Sequence, residues 1–198
     1  MRNQKTPLKE EIIDKSIKLF LQKGYNATRV EDITDATSVS KAAFYLHFES
    51  KAELLETIVD RYESLFLDPI VKAVQNSEGD FLHKIKYSHK WAADFAYNNK
   101  DLCVGFMTIS AEMVGSGTKI ESKIKAIKAR YRALFKELLE QGRREGMIKD
   151  KLDIDLAAHV INAIHDGVLI EWYANSDEID GAKLALAYRD ITLNGILK

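Results

Sequence analysis

The stretch from Gly24 to Leu55, GYNATRVEDITDATSVSKAAFYLHFESKAELL, constrains this chain more than any other. Its apolar residues form two short helical patterns joined by a small polar turn, and a third pattern starts immediately afterwards. Val30, Ile33, Ala36 and Thr37 fall on one face of a helix of about two turns, opened by Thr28 or Arg29. Ser38-Val39-Ser40 forms the turn, with Ser40 a good N-cap and Val39 placed to plug the corner between two helices. From Lys41 to Phe48, Phe44 and Phe48 face inward four residues apart and leave Lys41, Ala42, Tyr45 and His47 outside. A helix with aromatic anchors and a small outer face fits a DNA major groove about 12 Å wide. The pattern is that of a helix-turn-helix.

The same stretch closely resembles the DNA-binding domain of the TetR family of transcriptional regulators. Thr28, Ile33, Val39-Ser40, Tyr45-Leu46-His47-Phe48 and Ser50-Lys51 carry the resemblance, and the chain's length and helical content agree with it. The chain departs from the family pattern at Ser38, where glycine is usual. Either Ser38 takes a left-handed backbone or the turn differs. Thr34 and Thr37 stand where alanine is usual, and Ala42 where glycine is frequent.

The resemblance implies a ligand-responsive regulator that binds a double-stranded, pseudo-palindromic operator as a homodimer and is released by a small apolar or amphipathic effector. Repression is the commoner outcome in the family, with activation left open. Thr28, Ser40, Tyr45, His47 and Lys51 are expected to grip phosphates, Lys41, Ala42 and Ala43 to lie nearest the base edges, and Arg29 to join the DNA-binding set.

The remainder reads as helix throughout. Two prolines and ten glycines in 198 residues, with few alternating β-branched runs, predict an all-α chain, and 46% hydrophobic residues suffice for an ordinary core. No apolar run approaches the roughly 20 residues needed to span a bilayer, and Met1 to Lys5 lead into an amphipathic helix rather than a signal peptide, so a cytoplasmic protein without membrane contact is expected. Cys103 stands alone, which excludes an intrachain disulfide and a thiolate metal cluster; within Leu102-Cys103-Val104 it reads as a small buried hydrophobe, with a redox sensor as the alternative.

Net charge is -1, made up of nine Lys/Arg against seven Asp/Glu up to residue 51 and twenty against twenty-three beyond it. DNA affinity must then come from a few placed contacts rather than a charged surface.

Helix 1 is marked by Thr6 as N-cap, Pro7 at the first position, Ile13, Ile17, Phe20 and Leu21 on one face, and Gly24 past its end. With Val30, Ile33, Phe44 and Phe48 it predicts a small three-helix core, marginal by itself and leaning on helix 4. Ser50 and Glu53 form a capping box for helix 4, which runs through Ile58 and Phe66 until Pro69 kinks or ends it. The expected domains are a helix-turn-helix domain over 1–50 and a larger helical ligand-binding and dimerisation domain over 51–198.

Phe81–Asn98, Asp101–Met113 and Lys119–Gly146 are the next helices, rich in aromatic residues and methionine. Plain core packing explains any one of these residues. By the family resemblance, Trp91, Phe95, Phe106, Met107, Tyr131, Phe135 and His165 are expected to line an effector pocket. Asp153 opens a further helix and Asp177 or Asp180 the last, and apolar residues cover more than one face of each. The resemblance pairs them across a two-fold axis, with Val160, Ala163, Ile164, Gly167, Leu184, Tyr188 and Ile191 at the dimer interface.

His83 and His89, like His159 and His165, lie six residues apart and on different helix faces, so neither pair suits a metal. No phosphate loop or nucleophile motif is present, and neither catalysis nor a cofactor is expected. An all-helical small-molecule-binding or protein-interaction module that does not bind DNA is the alternative.

Overall fold

The computed structural model describes residues 7–198, so the expected cap Thr6 lies outside the described residues. Among them the architecture is all-α, with one isolated antiparallel bridge between Ile148 and Leu197. By packing, the chain divides into two units, one running up to Tyr62 and including Asp101–Ser122, the other formed by Glu63–Lys100 and Lys123–Lys198. The division expected after residue 50 falls inside the first unit.

The first unit holds α1 (Leu8–Lys23), α2 (Val30–Thr37), α3 (Lys41–Tyr45), α4 (Lys51–Tyr62) and α7 (Lys100–Met113) from Asp101 onward. α1 buries Ile12, Ile13, Ser16, Ile17 and Phe20, which adds Ile12 and Ser16 to the expected face and leaves Leu21 half-buried. Gly24 ends it at φ 81, a backbone angle that L side chains rarely adopt. In α2 the inner face is Ile33, Thr34 and Thr37, while Ala36, expected inside, is exposed. The threonines tolerate burial because their hydroxyls donate within the helix, Thr34 to Glu31 O at 2.9 Å and Thr37 to Ile33 O at 2.8 Å.

Ser38 sits at φ 56, ψ 36, so the departure from glycine is met by a left-handed serine rather than a different turn. Ser38→Gly should therefore raise stability by up to about 1 kcal/mol, read as a higher urea midpoint at unchanged m-value. A lower midpoint would show that the serine compensates for its backbone strain.

Beyond the turn, Phe44 and Phe48 are fully buried with their rings 5.6 Å apart. Ser50 Oγ accepts from Glu53 N at 3.1 Å, and the Glu53 carboxylate accepts in return from Glu49 N, one residue before the amide expected. The sequence pattern marks the fifth helix of this unit, Asp101–Met113, but not its place beside the N-terminal helices. At Gly105, α7 approaches α1 so closely that a Cβ would stand 3.0 Å from Ile17 Cγ2, and Phe106 stacks on Tyr62 with centroids 3.8 Å apart.

The second unit opens on a π-helical turn, Glu63–Leu67, followed by α5 (Asp68–Gln75), α6 (Phe81–Asn98), α8 (Lys119–Arg144) from Lys123, α9 (Ile154–Ala174) and α10 (Gly181–Ile196). Pro69 neither kinks nor ends the helix by itself: the wider turn absorbs its missing N–H, and α5 restarts with the proline in its first turn. The widened turn also buries the consecutive residues Phe66 and Leu67. Asp80, Asp153 and Asp180 cap α6, α9 and α10, which decides the last start in favour of Asp180 over Asp177.

Candidate nucleic-acid interface and effector cavity

In the first unit, the short helix α3 stands on its two phenylalanines and turns Lys41, Ala42 and Tyr45 outward, with Leu46 beyond its end also exposed and Ala43 and His47 half-buried. Ser40 Oγ accepts from Ala43 N at 3.1 Å and is the N-cap that sets the helix direction. Lys41, the expected base reader, pairs with Glu31 of α2. The hydrogen bond from Lys41 holds the Glu31 carboxyl below its ordinary range, and the lysine must leave this partner to reach a base.

Two residues expected at phosphates hold the protein together instead. Thr28 is fully buried, and its hydroxyl donates to Gly24 O at 2.7 Å. Lys51 Nζ donates to Tyr25 O at 2.7 Å and Thr28 O at 2.6 Å while lying 4.2 Å from the centre of the Tyr25 ring. Burial pushes the pKa of this ammonium group down. The spacing of Lys51 from the turn carries no sign of either bond, because the carbonyls lie 26 and 23 residues back.

The opposite side of the same loop is held by Glu112 of α7, whose carboxylate accepts from Tyr25 N at 2.9 Å and Asn26 N at 3.2 Å. A Cβ at Gly24 would come within 2.8 Å of that carboxylate. The segment leading into α2 is thus gripped by a cation on its carbonyls and an anion on its amides. Arg29 remains exposed, its backbone N–H donating to Asp32 Oδ2 at 2.7 Å.

In the second unit, α9 exposes Leu156, Val160, Ala163, Ile164, Gly167 and Ile170 along one stripe. On α10 the exposed apolar positions include Leu186, Ala187 and Ile191. Tyr188, expected at the dimer interface, is buried, with its hydroxyl donating to Ile161 O at 3.2 Å. Leu184 likewise faces inward and lines a cavity. Of the three α10 residues expected at the interface, Leu184 and Tyr188 thus belong to the monomer's interior and Ile191 is exposed.

That interior holds a cavity with two adjoining parts. The outer part, of about 120 Å³, is walled by Tyr97, Trp172, Gly181 and Leu184 among others. The inner part, of about 40 Å³, reaches His89, Tyr131, Phe135, His165 and Tyr188, and Ala93, Val168, Leu169 and Ala185 line both. Trp172 packs so closely on Gly181 that a Cβ there would meet its ring at 2.5 Å. Burial pushes the Tyr188 hydroxyl well above its usual pKa, and the lining is mostly apolar.

Of the seven residues expected in an effector pocket, Tyr131, Phe135 and His165 line this cavity. Phe106 and Met107 belong to the core of the first unit. Trp91 and Phe95 stack on each other 5.6 Å apart and surround Phe66, outside the cavity wall. His89, Ala93, Val168 and Ala185 were missed, since small residues on three separate helices carry no pocket signal until the helices pack. Cys103 is buried, and burial pushes its thiol up to about 12, so it remains a protonated thiol in the core. Among the described residues no group of three His, Cys, Asp or Glu side chains could hold a metal ion, and no helix is long and apolar enough to cross a membrane.

Residues 12–58 match the model of the bacterial regulatory proteins of the tetR family, and residues 64–195 match that of the C-terminal region of YsiA-like proteins. The chain is 25% identical over 197 residues to the fatty acid metabolism regulator protein of Bacillus subtilis, covering 98% of this chain and 97% of that protein. It is 25% identical over 166 residues to the transcriptional repressor BepR of Brucella suis, covering 83% and 79% respectively. Among solved structures, the MbdR regulator from Azoarcus sp. CIB superposes with a TM-score of 0.87 at 28% identity, over 97% of this chain and all of that one.

Proposed function

Because this chain belongs to the TetR family of bacterial regulatory proteins, and is by that membership a ligand-responsive DNA-binding transcriptional regulator, we propose that it is a repressor. Two copies hold a pseudo-palindromic operator and release it when a small apolar or amphipathic molecule enters the cavity of the second unit. Residues 1–50 carry DNA contact, and 51–198 carry effector binding and dimerisation. The outward face of α3 supports the reading most directly: small Ala42 beside exposed Tyr45, on a helix anchored by two buried phenylalanines.

In this reading Tyr45, His47, Arg29 and the amides at the start of α3 grip phosphates. Lys41 exchanges Glu31 for a base or phosphate, and Ala42 and Ala43 approach thymine methyls. Thr28 and Lys51 act indirectly, by shaping the loop. Paired α9 and α10 stripes from two copies set the distance between the two α3 helices, with half-sites about 34 Å apart or a multiple of that. An effector works only by binding better to the dimer whose half-site spacing is wrong for DNA.

Fluorescence anisotropy with the protein's own upstream DNA and a scrambled duplex, at two salt concentrations, tests this. Preferential binding that falls steeply with salt is expected, since phosphate contacts release counterions. A response flat in salt, or no binding to either duplex, would support the module without DNA function. Tyr45→Phe should weaken binding to all duplexes alike, by about 1 kcal/mol for one lost hydrogen bond. A change in base preference at intact affinity would remove Tyr45 from the phosphate contacts.

A further inference from the structure

Two buried ring nitrogens on residues that line the inner part of the cavity have no hydrogen-bond partner in the protein: His89 Nε2 and His165 Nδ1. Both residues line the cavity, and each is more than nine-tenths buried. Buried polar atoms are almost always paired, so two orphans in one apolar pocket call for an explanation.

The chemistry of the first is decided by its neighbour. His89 Nδ1 lies 2.7 Å from Ile85 O, and a carbonyl can only accept, so Nδ1 carries the proton. In a neutral imidazole Nε2 is then a bare acceptor. The ring is held neutral, its pKa lowered to about 4 by burial and further by His165 and Arg189, against the opposing pull of the Ile85 carbonyl. Two hydroxyls beside it are committed elsewhere: Ser88 donates to Ile85 O, and Tyr188 to Ile161 O although its ring is 5.0 Å from that of His89. His165 Nδ1 stands 3.8 Å from Asp166 Oδ1, beyond hydrogen-bond reach, and Asp166 pairs with Lys128 at 2.8 Å.

We propose that the inner end of the cavity selects an uncharged hydrogen-bond donor, the hydroxyl of a phenol or alcohol on an otherwise apolar molecule, which donates to His89 Nε2 and rests against His165 Nδ1. This rests on the reading of the cavity as the effector site and names the chemistry of the effector. A carboxylate brings only lone pairs to a lone pair. To be held it needs an imidazolium, which burial of the His89 ring disfavours. An ammonium could donate, but it would be stripped of water against an apolar wall whose nearby carboxylate, Asp166, already has a lysine. A hydrocarbon leaves both nitrogens as they are.

The test uses the full chain and three probes of one shape: 4-propylphenol, propylbenzene and 4-propylbenzoate. Affinities are measured by calorimetry at pH 7.5, and the imidazole nitrogens are followed by ¹⁵N NMR. The phenol should bind at least about tenfold more tightly than the other two, and it alone should move the His89 Nε2 resonance. In His89→Leu the phenol and propylbenzene should bind alike. If this variant fails to fold, the selectivity and the NMR shift of the unaltered protein still decide. A preference below tenfold, a preference for the benzoate, no binding of any probe, or phenol binding that leaves the Nε2 resonance in place would overturn the proposal. Anisotropy on operator DNA separates this from the regulatory reading: a phenol that engages His89 without releasing DNA sinks the effector role and leaves the donor site standing, whereas release by all three probes alike does the reverse.

Discussion

Replacing Ile164 by glutamate should leave the protein monomeric in sedimentation equilibrium and lower its operator affinity by at least about 100-fold. Ile164 lies in the middle of the exposed α9 stripe, between Val160 and Gly167, and facing positions on α10 expose Ile191 at 72% and Leu186 at 50%. An isolated folded chain rarely leaves two such helices with apolar residues outward unless another surface covers them. Under two-fold symmetry a single substitution places two carboxylates in one interface, each costing several kcal/mol when buried without a partner. A monomer can hold one half-site only, which removes the gain from engaging both. Tyr188→Phe is the matched control: its hydroxyl bonds Ile161 O inside the monomer, so the change should lower stability modestly and leave the dimer intact. A dimeric Ile164→Glu protein with undiminished affinity would show that the stripe is not the interface.

The second large effect is expected at Glu112, far from α3 in sequence. Glu112→Ala should cost about 2–3 kcal/mol of stability, since one carboxylate accepts two backbone amides that would otherwise face an empty side-chain position. The part-exposed setting keeps the figure below the sum of two buried charge-assisted bonds. For a chain of this length, that is a fall in Tm of about 5–10 °C. Operator affinity should fall as well, because the loop held by Glu112 is the one that Lys51 holds from the other side, and it leads directly into α2. Glu112→Gln, which keeps one acceptor oxygen, should recover part of both losses. Unchanged melting in Glu112→Ala would mean that water replaces the carboxylate at little cost and that the loop is held by Lys51 alone.

The contrast between Ser40 and Lys51 shows where reading from sequence succeeds. Ser40 caps the helix that begins at the next residue by accepting from the amide three residues ahead, and its role follows from residue type and spacing. Lys51 also lies at a helix start, beside a capping serine, and is an obvious candidate for a phosphate. Its actual partners are carbonyls on a loop more than twenty residues earlier, which no local pattern encodes. Thr28 fails in the same way: a threonine before a helix looks available to DNA until its hydroxyl is found on Gly24 O. On α10, Leu184 and Tyr188 were apolar candidates for an interface as good as Leu186 and Ile191, because helical periodicity identifies faces without saying which partner each face meets.

The sequence by itself determined the all-α character, the helix-turn-helix with its two inward phenylalanines, the helix starts at Ser40, Ser50 and Asp153, and the family. All of these rest on interactions within a few residues or on a motif with fixed spacing. Only the tertiary structure decided that α7 packs with the N-terminal helices, that Glu112 and Lys51 clamp one loop, and that His89 and His165 meet in one cavity with unpaired nitrogens. The physical reason is common to all three. Each depends on groups brought together by helix packing across tens of residues, where burial and the loss of water, rather than local propensity, set what a side chain can do.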